Sequence, residues 1–176
     1  MSSQPVVGVV VGNPKPKSRT RAVAEVVASA AAKAAGLSTV QGELVVVDLA
    51  DLGPKLFDWS DPEVGTAVER IAACRLVVVA SPTYKASYTG LLKAFLDWYS
   101  TTGLGGVTAI PLMVGAGPHH ALAVEVHLRP VLVEIGASVP TRGLYVLEAQ
   151  LDHLDEVIGE WLVEAGPRLA TLAARS

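Results

Sequence analysis

Ser81-Pro82-Thr83-Tyr84-Lys85-Ala86-Ser87-Tyr88-Thr89-Gly90-Leu91-Leu92-Lys93-Ala94-Phe95-Leu96-Asp97-Trp98 is the stretch whose reading decides the fold. Five apolar residues, Leu76 to Ala80, run into it and read as a strand buried on both faces. The ladder is expected to stop at Ser81-Pro82, because proline has no N–H and drives its predecessor out of the helical region. Beyond Gly90 the period turns helical, with Leu91, Leu92, Phe95, Leu96 and Trp98 on one side and Lys93 and Asp97 on the other. A buried strand thus feeds a polar, aromatic-bearing loop and then a helix. In an open α/β sheet ligands gather there, beyond the carboxyl ends of the strands.

Outward from this stretch the same pattern recurs. Val6 to Val11 is a β-branched run, and the polar loop Gly12 to Thr20 leads from it into a helix from Ser18 to Ala35, with Ser18 as N-cap and Gly36 as stop. Glu43 to Asp48 reads as the second strand. The connection Asp48 to Asp61 carries Leu56, Phe57 and Trp59, too apolar for a plain surface loop; it either lines a pocket or interface or folds back on its own core. Asp61 caps a helix from Pro62 to Ala73, and Arg75 to Ala80 is the third strand. Val107 to Val114 is the fourth, and a helix from Pro118 to Ile135 should kink at Pro130. Ser138 to Leu147 supplies the fifth strand and Leu151 to Ala173 the last helix.

Five strands alternating with five helices predict an α/β three-layer sandwich around a five-stranded parallel sheet. The flavodoxin-like order 2-1-3-4-5 is the natural choice, with its switch point between strands 1 and 3. No repeat or low-complexity linker divides the chain, so residues 1–176 read as a single domain.

Composition narrows the function classes. Apolar residues make up 51% of the chain, which suits strands covered by helices on both faces. A net charge of −3 gives no electrostatic case for nucleic acid or an anionic membrane surface. Nor does any apolar stretch approach membrane-spanning length, and Val6 to Val11 lacks the basic flank of a signal peptide. A soluble cytoplasmic protein is expected. The lone cysteine, Cys74, has no internal disulfide partner and reads as inert and buried.

Strands 1, 3 and 4 each end in a loop of unusual composition, and parallel strands put those ends at one edge. Gly12 to Thr20 opens a helix N-terminus, where free N–H groups and the dipole favour an anion. Ser18 and Thr20 add hydroxyls, and Lys15, Lys17, Arg19 and Arg21 add charge. The loop matches neither the P-loop nor the dinucleotide glycine pattern. Two readings fit: an anion site, or a capped helix behind a solvated basic loop. Pro82 to Ser87 offers backbone amides, the Tyr84 ring and the Lys85 ammonium, suited to the edge of a flat heterocycle; a half-buried packing ring is the plainer role for Tyr84. In the third loop Gly115 and Gly117 let backbone approach a ligand. The adjacent His119 and His120 point differently and make poor joint metal ligands, while His127 and His153 fall on solvent-facing helix positions. No catalytic triad is visible, so the site reads as one that holds a cofactor whose own chemistry does the work.

At these residues the chain resembles the NAD(P)H-dependent FMN reductases of the flavodoxin-like superfamily, and most of all the flavin reductases of two-component monooxygenase systems such as those used for alkanesulfonates. Pro82-Thr83-Tyr84-Lys85-Ala86-Ser87-Tyr88-Thr89-Gly90-Leu91-Leu92-Lys93 follows that subgroup's Pro-x-Tyr-Lys-Ala-x-Tyr-x-Gly-x-Leu-Lys. Gly12-Asn13-Pro14 with Ser18-Arg19-Thr20 stands in the phosphate-loop position, and His120 to Glu125 with Arg129 to Leu132 resembles the helix after the glycine-rich loop.

The resemblance implies FMN, its phosphate on Ser18, Arg19 and Thr20 beside Asn13 and Pro14. It implies an isoalloxazine resting against Pro82, Thr83, Tyr84, Lys85 and Ser87, with Gly115, Ala116, Gly117 and His120 at its far edge. Gly115-Ala116-Gly117 departs from the family's Gly-Gly-Thr by losing a hydroxyl. In the subgroup Tyr88 lies in a helix with a π-bulge at a subunit interface; a tyrosine on a packed helix is the alternative. The implied activity is hydride transfer from NADPH or NADH to FMN, with a flavin-dependent monooxygenase as partner and a homodimer or homotetramer as assembly. The alternatives are an FMN-bound quinone or azo reductase, a flavodoxin-like electron carrier and a plain FMN-binding module.

Overall fold

The computed structural model describes residues 7–37 and 44–172; Val6 and Glu43, which open predicted strands, and Ala173, which closes the last predicted helix, lie outside them. β1 (Val7–Val11) leads into α1 (Arg19–Ala34), and β2 (Val45–Asp48) into the one-turn α2 (Leu49–Leu52) and a 3₁₀ turn over Gly53–Phe57. Next come α3 (Pro62–Ala72), β3 (Leu76–Pro82), α4 (Gly90–Leu96) and β4 (Thr108–Gly115). A 3₁₀ turn at Pro118–His120, a π-helical turn at Val124–Leu128 and α5 (Arg129–Glu134) lead to β5 (Leu144–Leu147). A 3₁₀ segment over Glu148–His153 then opens α6 (Leu154–Ala170).

The strands form one parallel sheet in the order β2-β1-β3-β4-β5, the order expected from the sequence. Side chains alternate across it. Leu76, Val78 and Ala80 of β3 pack with Val23, Val27, Ile158 and Trp161 of α1 and α6. Val77 and Val79 pack with Ile71, Leu92, Phe95 and Leu128 on the other side. Both faces are thus covered, giving three layers. Among the described residues no helix is long and apolar enough to cross a membrane.

Several boundaries differ from the expectation, each for a physical reason. β3 does not stop before Ser81-Pro82 but pairs through Pro82 with Val114. The carbonyl of Ala80 faces β1, where it accepts from Gly12 N–H at 2.7 Å, and Thr83 N–H faces β4, donating to Val114 at 2.7 Å. By alternation Pro82 turns its missing N–H toward β1, which has already left the sheet. Pro111 inside β4 follows the same logic, since its nitrogen faces the gap between the Ser138 bridge and the start of β5. That gap shortens β5 to four residues from the predicted ten.

The predicted helix Pro118 to Ile135 is broken. Pro130 has no N–H for the carbonyl of Val126, and Arg129 N–H reaches back five residues to Val124, making the π turn. The distortion expected at Pro130 is therefore taken up one turn earlier. Tyr88 lies ahead of α4, whose N-cap is Thr89, rather than within a helix or at a π-bulge. Among the described residues α2 makes six α-helices where five were expected.

On the outer side of β5, Glu125 Oε1 accepts from Gly143 N–H at 2.6 Å and Gln150 Oε1 accepts from Leu147 N–H at 3.0 Å. Glu125 is itself paired with Arg129, whose guanidinium also donates to the carbonyls of Val139 and Thr141.

Candidate functional site

At the end of β1 the chain turns hard against α4. A Cβ at Gly12 would stand 2.6 Å from Cβ of Leu92, so only glycine fits. Asn13, buried, braces the turn: its Oδ1 accepts from Lys15 N–H at 2.9 Å and its Nδ2 donates to Thr20 Oγ1 at 3.1 Å. Ser18 caps α1 by accepting from Arg21 N–H at 3.3 Å. That leaves the amides of Arg19 and Thr20, the first two helical positions, without an intrahelical acceptor at the positive end of a 16-residue helix.

The cations around this turn are not equal. Arg21 is held by Glu25 at 2.7 Å and Asp48 at 3.5 Å, and the hydrogen bond to Glu25 chiefly keeps its guanidinium above its ordinary pKa. Arg19 reaches Glu148 at 3.2 Å, an exposed pair of little strength. Lys15 and Lys17 are exposed and have no ion-pair partner among the described residues.

The second loop is a tight reversal: Tyr84 N–H donates to Ser87 O at 2.9 Å and Ser87 N–H to Tyr84 O at 3.1 Å. Its central residues, Lys85 (φ 50°) and Ala86 (φ 63°), are both left-handed without being glycine. Tyr84 is 51% exposed, a half-buried ring that is compatible with both roles weighed for it. Thr83 lies at the base of the loop, its Oγ1 buried without a hydrogen-bond partner. Thr89 joins this loop to the first, accepting from Leu92 N–H and donating to Gly12 O, while its own N–H donates to Ser81 Oγ.

In the third loop a Cβ at Gly115 would fall 2.0 Å from Tyr145 Oη and 3.0 Å from Thr83 Oγ1. Tyr145 donates to Gly117 O at 2.9 Å, which fixes the loop from β5. At Gly115 glycine therefore makes room for a side chain of this chain. At Gly117 the His119 ring occupies the corresponding space, 2.4 Å from where a Cβ would stand. His119 and His120 have ring centroids 4.0 Å apart, tilted by 57°. His127 and His153 are exposed, as expected. Among the described residues no group of three or more His, Cys, Asp or Glu could hold a metal.

Asn13, Ser18, Arg19, Thr20, Pro82, Thr83, Gly115 and Gly117 thus share one rim, cross-linked by Thr89 and Tyr145. Pro14, Lys85 and Ala116 are exposed on it, Ser87 is half-buried, and His120 stands beyond the third loop on a separate 3₁₀ turn. Thr20 is buried and braces Asn13. Two clefts of ≈ 440 Å³ flank the rim, one between β2 and α3 and one between β5, α6 and the π turn; neither is lined by the first two loops. Sequence reasoning gave no site role to Thr89, Asp48 or Tyr145. Threonine before a helical period was the available signal for the first; the others act across distances that no local pattern records.

The family described as NADPH-dependent FMN reductase matches residues 5–152. An FMN reductase (NADPH) of Escherichia coli K12 is 33% identical over 93 residues, covering 53% of this chain and 49% of the relative. An NADH-dependent FMN reductase of Pseudomonas putida is 33% identical over 101 residues, covering 56% and 54%. The chain spans about half the length of the curated relatives it matches. Among solved structures, the apo form of an NADH:FMN oxidoreductase superposes with a TM-score of 0.73 at 29% identity, covering 90% of this chain and 89% of that one. An oxidoreductase of Corynebacterium diphtheriae shares the fold at TM-score 0.79 and 24% identity, over 99% and 100% of the chains.

Proposed function

We propose, from the premise that the chain belongs to the NADPH-dependent FMN reductase family, that it is an NAD(P)H-dependent FMN reductase and that residues 1–176 make one FMN-binding domain. The observation that carries the reading is the pair of free α1 amides beside the Ser18 hydroxyl, tied through Thr89 to a loop base where the Thr83 hydroxyl lacks a partner. Donors for a phosphate and for a heterocycle edge are what FMN needs, so the residues fit the group.

Ser18, Arg19 and Thr20, braced by Asn13, would hold the phosphate, with Lys15 and Lys17 supplying charge. Pro14 shapes the turn. Pro82 to Ser87 would back the ring system, with Thr83 donating to it, and Gly115 to Gly117 with His120 would border its far side. Bound there, FMN would supply hydride-accepting chemistry toward NADPH or NADH. The chain's own task is orientation, which can lower a barrier by roughly 7–11 kcal/mol, and stabilisation of anionic flavin by loop amides.

The rim is exposed at Pro14, Lys15, Tyr84, Lys85 and Ala116, which suits exchange of flavin with solvent and delivery of reduced FMN to a partner monooxygenase. Phe57 (72% exposed) and Trp59 (65% exposed), the latter stacked on Trp98 at 5.4 Å, form an apolar ledge beside α4 that suits assembly as a homodimer or homotetramer. A cytoplasmic location belongs to the same reading. Steady-state assays with either nicotinamide and varied FMN test it: saturable NAD(P)H oxidation dependent on FMN is expected, and no turnover with both nicotinamides overturns it.

A further inference from the structure

We propose that Asp48, at the carboxyl end of β2, is a positioning residue for the anion-binding turn and thereby favours flavins that carry a phosphate over those that do not. The inference rests on the FMN reading above. The Asp48 side chain is 1% exposed, yet no apolar role explains a carboxylate there. Its Oδ2 accepts from Lys17 N–H at 3.3 Å and its Oδ1 from Ala50 N–H at 3.3 Å. Lys17 stands at φ 50°, immediately before the N-cap Ser18. A lysine holds that left-handed conformation only when its surroundings impose it. Asp48 is the contact that does so, from 31 residues away.

Electrostatics set a second condition. A carboxylate this close to an anion site opposes the anion, unless its charge is already balanced. Arg21 Nη1 lies 3.5 Å from Asp48 Oδ2 and supplies the balance, while its Nε stays on Glu25. What Asp48 then adds is geometry. It fixes the backbone that presents Ser18 and the first amides of α1, and leaves Lys15 and Lys17, with Arg19, as cations facing solvent.

The test is fluorescence-quenching titration of FMN and of riboflavin, its phosphate-free analogue, with wild type, Asp48→Asn, Asp48→Glu, Lys17→Gly and the Asp48→Asn/Lys17→Gly double variant. Loss of a hydrogen bond to a charged group predicts an FMN Kd raised about tenfold in Asp48→Asn, with riboflavin changed less than about twofold. Asp48→Glu keeps the charge but displaces it by a methylene, and should lose FMN in the same selective way. Glycine adopts the left-handed conformation freely, so the Asp48→Asn effect should shrink in the Lys17→Gly background. Equal losses for both flavins, no loss, or an undiminished effect beside Lys17→Gly would overturn the proposal. If Asp48→Asn does not fold, the Asp48→Glu comparison decides; if neither folds, Asp48 serves the fold alone and the proposal fails. Wild type that binds no FMN would instead overturn the flavin reading itself.

Discussion

The hydroxyl of Thr89 donates to the carbonyl of Gly12 at 2.5 Å while accepting from Leu92 N–H at 3.1 Å. One side chain thus caps α4 and ties its first turn to a loop 77 residues earlier. Thr89→Val keeps the shape and removes both bonds. It is expected to cost about 1–2 kcal/mol of unfolding free energy and to weaken FMN binding, read by urea denaturation and flavin titration.

Gly12 is where backbone meets backbone-bound side chain, with Leu92 Cβ 2.6 Å from the position of a new Cβ. Gly12→Ala must push α4 away from β1. A loss of about 1–3 kcal/mol is expected, measured as a lowered thermal midpoint; an unchanged midpoint would mean that α4 shifts freely.

At the second loop the strain is local. Ala86 at φ 63° follows Lys85 at φ 50°, a turn that Asn-Gly would make without penalty. Ala86→Gly relieves roughly 1–2 kcal/mol of left-handed strain against roughly 0.4–1 kcal/mol of added unfolded-state entropy. A modest gain in stability is expected from denaturant midpoints.

Cys74, 3% exposed, donates through Sγ to Arg70 O at 3.3 Å, and burial pushes its thiol up to about 11. Native protein at pH 8 should therefore resist alkylation by iodoacetamide and take up one equivalent once unfolded, as mass spectrometry would record.

Glu125 titrates the other way. Its hydrogen bond from Arg129, helped by Gly143 N–H, holds the carboxyl below its usual 4.5. The unfolded chain binds that proton more readily than the folded one. The stabilisation is therefore complete above the ordinary value and drains away as pH falls through the folded value. Glu125→Gln should flatten the acid limb of stability as pH falls below the ordinary carboxyl value of 4.5, followed by denaturation at stepped pH.

What the sequence made legible were features written locally. Runs such as Leu76 to Ala80 mark strands buried on both faces, and Ser18 and Asp61 mark helix starts. What stayed hidden depends on neighbours. Whether Pro82 ends a strand turns on which side its nitrogen faces, and that side is known only once β1 is seen to have left. Lys85-Ala86 carries neither glycine nor asparagine, so the reversal gave no signal. Asp48 finds Lys17, and Tyr145 finds Gly117, across 31 and 28 residues. The Pro130 disturbance was legible, but its conversion into a π turn at Val124–Leu128 was not.

The amides that β5 would show to the outside are already claimed at Gly143 and Leu147 by Glu125 and Gln150. A passing β-strand would have to displace both side chains before it could pair along that edge. Two of the outward amides at that margin are thus blunted by side chains of this chain, which narrows the room for edge-to-edge pairing.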